Sequence, residues 1–159
     1  MGKLKLFGKI VLSGFLFAIA AFVIHMIGAM LAMGYYKMPE YASVWSKLMM
    51  PSAGAAPPLF FSLYSLLFGF IGGVLFAIVY DVLMGGIPGK KTNKGLAFGF
   101  LIFLVAGIPS YLSMLLLINL PAGLIAMWTL ENLAVYLVGG MIVAWIIRPG
   151  KEATARKKE

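Results

Sequence analysis

Apolar positions along this chain do not alternate with polar ones; they run on. Four stretches, at about 10–34, 59–84, 95–118 and 123–147, are apolar almost throughout. Each exceeds the roughly 20 residues that a helix needs to cross a hydrocarbon core of about 30 Å. The pattern predicts an all-α polytopic membrane protein, its four transmembrane helices forming a compact bundle and residues 1–159 one membrane domain. Polar positions collect between the stretches. They form a basic start (MGKLKLFGK), a loop of 24 residues, a basic turn (GGIPGKKTNK), a tight NLPAG link and a basic tail over 148–159.

A finer pattern lies inside the helices. Small residues recur at helical spacing: Gly14, Ala18, Ala21, His25, Gly28 and Ala32 in the first helix, and Ser62, Ser65, Gly69, Gly73 and Ala77 in the second. The third carries Gly95, Gly99, Ala106, Ser110 and Ser113, and the fourth Thr129, Asn132, Tyr136, Gly139, Gly140 and Ala144. Between helices in lipid there is little hydrophobic drive, so contact follows wherever small side chains let backbones approach. The stripes are therefore expected to face one another. A shift of 85 residues lays Lys9, Gly14-Phe15-Leu16 and Ala21 on Lys94, Gly99-Phe100-Leu101 and Ala106; a shift of 67 lays Gly72-Gly73 and Ala77 on Gly139-Gly140 and Ala144. Two tandem helical hairpins, 9–84 and 94–147, would be parallel repeats about an axis along the membrane normal. Chance coincidence of Gly, Ala and Leu is the competing account.

Composition agrees with this architecture. The chain is 62% hydrophobic and 11% charged, with mean hydropathy +1.00, whereas soluble domains are about 25% charged. The net charge of +8 changes meaning once it is placed. Lys3, Lys5, Lys9, Lys90, Lys91, Lys94, Arg148, Lys151, Arg156, Lys157 and Lys158 flank one side, and Lys37 and Lys47 the other. That asymmetry predicts a multi-pass protein of the cytoplasmic (plasma) membrane with both termini in the cytoplasm. The basic residues then meet anionic lipid headgroups rather than nucleic acid. The first apolar run is too long for the roughly 7–15 residues of a signal-peptide core, so a retained helix is expected. MGKLKL lacks the Ser or Thr of an N-myristoylation site. No Cys is present, which excludes disulfides, thiolate metal sites and cysteine catalysis.

The polar residues within spans are the candidate chemistry. Glu131 stands in MWTLENLAVYL, and a carboxylate at mid-span costs about 2.5–3.5 kcal/mol unless it finds an interior partner. His25, the sole histidine, lies about 4–5 Å outward of its helix midpoint, and Glu131 about 7 Å outward of its own, by helical rise. Ser65, Ser110, Tyr111 and Asn132 share that outer half, giving a ligand or proton site as one expectation and a structural His25–Glu131 pair as another. Asn132, not Glu131, centres the fourth stripe, which leaves an edge position for the acid as a third. Asp81 and Arg148, equivalent under the 67-residue shift, are expected to form a structural ion pair at the cytoplasmic end, or simply to reach headgroups. His25 with Met26 and Met30 could hold a soft ion such as Cu(I); methionine as a packing residue is the plainer reading. No cofactor is strongly indicated, and a haem lacks both CxxCH and a second His. The loop aromatics Tyr35, Tyr36, Tyr41 and Trp45 read as an interfacial belt. Residues 40–50 are expected to lie on the membrane as an amphipathic stretch. Pro109 should kink the third helix beside Ser110.

No HExxH, P-loop or GxSxG pattern occurs, and GFIGG lacks the Lys-Ser/Thr of a phosphate cradle. GIPGKKTNKGLAFGFLIFLVAGIPSYLSM, with Lys94, Gly95, Phe98, Gly99 and Pro109, resembles uncharacterised small four-helix membrane proteins of bacteria and archaea. The resemblance implies the architecture and no activity. The leading expectation is a non-enzymatic structural or accessory membrane subunit, packed on itself as a homo-oligomer or on a partner subunit. A small transporter or ligand-binding bundle is the alternative, and a metal- or cofactor-binding membrane protein the third.

Overall fold

The computed structural model describes residues 3–52 and 55–147, and every element among them is helical. Helix α1 (Lys3–Leu31) is followed by a short α2 (Met33–Tyr36) and a 3-10 turn (Pro39–Val44); α3 spans Leu59–Leu83. The third span is α4 (Lys91–Ile102), a π turn (Phe103–Gly107) and α5 (Ile108–Leu117), and the chain returns through α6 (Ala122–Ile146). Four helices are long and apolar enough to cross a membrane: Leu4–Leu31, Leu59–Leu83, Lys91–Leu117 and Ala122–Ile146. The ends of the bundle are the basic end, carrying residues 85–90, and the loop end, carrying 37–52 and 55–58.

Local chemistry sets these boundaries. Pro58 and Pro121 sit at the caps of α3 and α6 with extended ψ of 162° and 129°, where a residue without an N–H forfeits no helical bond. The first helix starts earlier than its apolar run, because lysine is a good helix former whose stem lies along apolar surface. Lys94 Nζ donates to the Met84 carbonyl at 2.6 Å, closing the C-terminus of α3. At the proline where a kink was expected, a π turn at Phe103–Gly107 stands just before Pro109. A proline ring collides with the carbonyl four residues back in a regular helix, and the wider turn relieves that. The amphipathic stretch expected at 40–50 is instead the 3-10 turn followed by bends and turns.

The principal packing pairs are α1 with α3, α4 with α6, and α1 with α6. Each hairpin closes on glycine. A Cβ added to Gly73 would lie 2.9 Å from Gly14 Cα, and one on Gly69 would lie 3.3 Å from Ala18 Cα. In the second hairpin a Cβ on Gly140 would strike the Gly95 carbonyl and lie 3.1 Å from Gly99 N, while one on Gly99 would strike the Tyr136 carbonyl. Gly14–Gly73 and Gly99–Gly140 are the same pair under the two shifts, and Ala18–Gly69 corresponds to Phe103–Tyr136, whose rings also meet. The two hairpins thus share one contact register.

Aromatic rings fill the basic half. Phe76 lies 5.2 Å from Phe17, 4.7 Å from Phe98 and 5.9 Å from Tyr136, and Tyr80 lies 5.1 Å from Phe98 (ring centroids). These contacts join α3 to α1, α4 and α6. Tyr80, Phe98, Val143 and Ile147 are buried there. Toward the loop end α3 and α5 bury less: the buried residues of α3 begin at Gly73, and α5 has none.

Candidate functional site

Glu131 reaches from α6 onto α1. Its Oε2 lies 3.2 Å from His25 Nδ1, and a Cβ at Gly28 would fall inside its carboxyl group. Gly28 stands one helical turn above His25, so the missing side chain makes room for the carboxyl directly beside the imidazole. The acid is therefore at the α1–α6 contact, while Asn132 is next to it on the face toward α5. The Glu131 side chain is 13% exposed and that of His25 47%. Glu131 Oε1 is buried and has no hydrogen-bond partner among the described residues.

An aromatic trio stands on the loop side of this pair. Trp128, one turn before Glu131, donates its indole N–H to the Tyr36 hydroxyl at 2.9 Å. The Tyr36 and Trp128 rings are stacked at 6.5 Å, and Trp45 meets them edge-on at 5.1 and 6.2 Å. Tyr36 lies beyond the spans. Burial pushes its phenol above the usual tyrosine range, the Trp128 hydrogen bond pulls it back and the nearby Glu131 charge raises it further. Trp45 Nε1 is, like Glu131 Oε1, buried without a partner among the described residues.

The other candidate residues divide. Tyr111 lies near Asn132, Glu131 and Tyr136, and Asn132 donates to its own helix at Trp128 O, at 3.0 Å. Ser65 and Ser110 turn away, donating to Phe61 O at 2.9 Å and Ala106 O at 2.6 Å on their own helices. Met26 and Met30 are 44% and 64% exposed on the outward side of α1. No group of three or more His, Cys, Asp or Glu side chains that could hold a metal ion occurs among the described residues. Asp81 is half-buried near the end of α3; Arg148, its expected partner, lies outside the described residues.

The parts not anticipated were the role of Gly28 and the closure of Tyr36 and Trp45 onto Trp128. The first had a signal, a glycine three residues after the only histidine. The second had none, since a belt of interfacial rings and a packed trio have the same composition. At the basic end an open crevice of about 270 Å³ is lined by Lys91, Thr92, Ala144 and Trp145, with Trp145 donating to Thr92 Oγ1 at 3.0 Å. Comparison with protein-family models, curated proteins and solved structures finds no match.

Proposed function

We propose that this chain is a non-enzymatic subunit of the cytoplasmic membrane, both termini inside, in which the His25–Glu131 pair latches one helical hairpin to the other. The observation that carries this reading is the placement of the Glu131 carboxyl on Gly28 and His25, across the α1–α6 contact. Five other polar side chains in the spans are occupied within their own helices: Ser65, Ser110, Ser113, Thr129 and Asn132 all donate to carbonyls four residues back. Groups so satisfied serve packing. The lysine asymmetry supports the orientation, and the Lys91–Trp145 crevice gives anionic headgroups a cationic, aromatic-walled place to rest. Partners in this reading are those headgroups and a second copy or membrane subunit.

The latch is tested by thermal unfolding of the detergent-solubilised protein. His25→Ala and Glu131→Ala should each lower stability by about 1 kcal/mol, the usual net worth of such a hydrogen bond. Glu131→Gln, which keeps a hydrogen-bonding oxygen, should lose less. Three variants as stable as wild type would leave the pair without a structural role.

A second reading, a ligand- or ion-binding bundle, is favoured by one observation: half of the Glu131 carboxyl is buried with no donor among the described residues. A carboxyl group in that position can accept a proton or a cation.

A further inference from the structure

We propose that the crevice at the basic end seats the head of an anionic phospholipid, its phosphodiester on Lys91 and Thr92 and its uncharged head against Trp145. The proposal rests on the membrane reading above and deepens it by naming the headgroup.

The crevice lies where two spans end. Lys91 begins the third span, and Trp145 stands beside Ile146, the last residue of the fourth, so the opening falls at headgroup depth. Its volume of about 270 Å³ is lined by Lys91, Thr92, Ala144 and Trp145. Ala144 is buried and small, and Trp145 is 62% exposed, so one wall is an indole that also faces outward. An indole, apolar with one polar N–H, suits the membrane–water interface. That N–H donates to Thr92 Oγ1 at 3.0 Å. The bond ties α6 to α4 at the crevice, and the hydroxyl that accepts it keeps its own proton for a phosphate oxygen. Lys90 and Lys91 are exposed, and neither is paired with an acid among the described residues.

The same charges select the head. Lys94 gives its ammonium protons to the Met84 carbonyl, yet its charge adds to those of Lys90 and Lys91. A choline or ethanolamine head would bring a further positive charge against three lysines. A phosphodiester carries one negative charge, which the single ammonium lining the crevice matches. A glycerol head adds no charge, and its hydroxyls find water at the open side. The chemistry is therefore that of phosphatidylglycerol, whose acyl chains stay outside in the bilayer.

The test is native mass spectrometry of the full chain, released from detergent that holds equal amounts of phosphatidylglycerol and phosphatidylcholine. Wild type should retain phosphatidylglycerol in preference. Lys91→Gln should cut that preference about fivefold, the usual worth of one lysine at an anionic surface. Thr92→Val should cut it about twofold or more, for one lost hydrogen bond. Lys5→Gln, which removes a charge from the same end outside the crevice, should leave it unchanged. Full preference in Lys91→Gln or in Thr92→Val overturns the site, and an equal loss in Lys5→Gln reduces it to diffuse attraction. Inorganic phosphate in excess should leave the lipid bound; if it displaces the lipid, free phosphate is the ligand and the headgroup proposal fails. Orientation is read separately. The chain has no Cys, so Lys90→Cys in right-side-out vesicles reports the basic end to an impermeant maleimide. Labelling from outside would overturn the topology in the reading above and leave the headgroup preference standing.

Discussion

The basic half and the loop half of this bundle are built on different contacts. In the basic half, helices meet backbone to backbone at Gly14–Gly73 and Gly95–Gly140, and a sheet of rings from Phe17 to Phe98 fills the space between. In the loop half the hairpins are joined by one polar pair and an aromatic trio, beside the buried Ala32, Leu124 and Ile125. In the membrane setting proposed above, lipid offers apolar side chains as good an environment as a neighbouring helix does, so close van der Waals approach serves the first region and polar contact adds to the second. The first kind of contact tolerates no added atom. The second tolerates adjustment, because a carboxyl group on a flexible stem can rotate. The π turn before Pro109 falls where the two regimes meet on the third span.

The comparison breaks most visibly at neighbouring glycines. Gly72 and Gly73 adjoin in sequence, yet nothing lies within 4 Å of a Cβ at Gly72, whereas one at Gly73 would approach Gly14 O at 2.9 Å. Gly73→Val should cost about 3 kcal/mol or more, since the atom it meets is backbone and overpacking cannot be relieved by a rotamer. Gly140→Val, its counterpart in the second hairpin, should cost as much, and both should run as aggregated material on size exclusion. Gly72→Val should stay within about 0.5 kcal/mol of wild type, as surface substitutions do. Equal behaviour of Gly72→Val and Gly73→Val would mean that the seam is looser than the structure shows.

Gly28 gives the matching experiment in the loop half. An alanine there would occupy the place of the Glu131 carboxyl, but the displaced group is the end of a flexible side chain. The loss should be about 1 kcal/mol, the worth of the hydrogen bond that must be given up. Trp45 and Trp128 fluorescence should shift, because the trio rests beside the acid. If Gly28→Ala unfolded the protein as thoroughly as Gly73→Val, the two halves would not differ in kind.

How far each region was legible follows from the same physics. The four long helices and their stripes could be read because crossing a bilayer demands length and apolarity in every turn, and because small residues at helical spacing have few other uses in lipid. The depths of His25 and Glu131, counted along separate helices, placed the two side chains at one level, and the structure sets them 3.2 Å apart. Sequence spacing could not say that Ser65 and Ser110 would turn back on their own carbonyls, because a serine on a bundle face has both options. Nor could it show that Glu131 fits over Gly28, since that depends on how α6 rotates against α1. That Pro109 would interrupt the regular helix was readable, but the π turn at Phe103–Gly107 was not.

The smallest expected effect concerns Tyr36, whose hydroxyl accepts the Trp128 hydrogen bond. Its phenol holds its proton more tightly when folded, chiefly because it is buried, with the Trp128 hydrogen bond opposing and Glu131 adding. Below the ordinary tyrosine value of about 10 both states are protonated, and Tyr36 contributes no pH dependence. As pH rises through that value the unfolded chain ionises first, so stability falls until the folded phenol follows at higher pH. Tyr36→Phe lacks this group. Its stability should be offset below wild type by about 1 kcal/mol at neutral pH for the lost hydrogen bond, and should decline less steeply above pH 10. Paired chemical-denaturation curves at pH 8 and 10.5 check the slope, and phenolate absorbance at 295 nm should lose its late-ionising component in the variant. Parallel curves would mean that Tyr36 ionises alike in both states, and that the trio leaves its hydroxyl open to water.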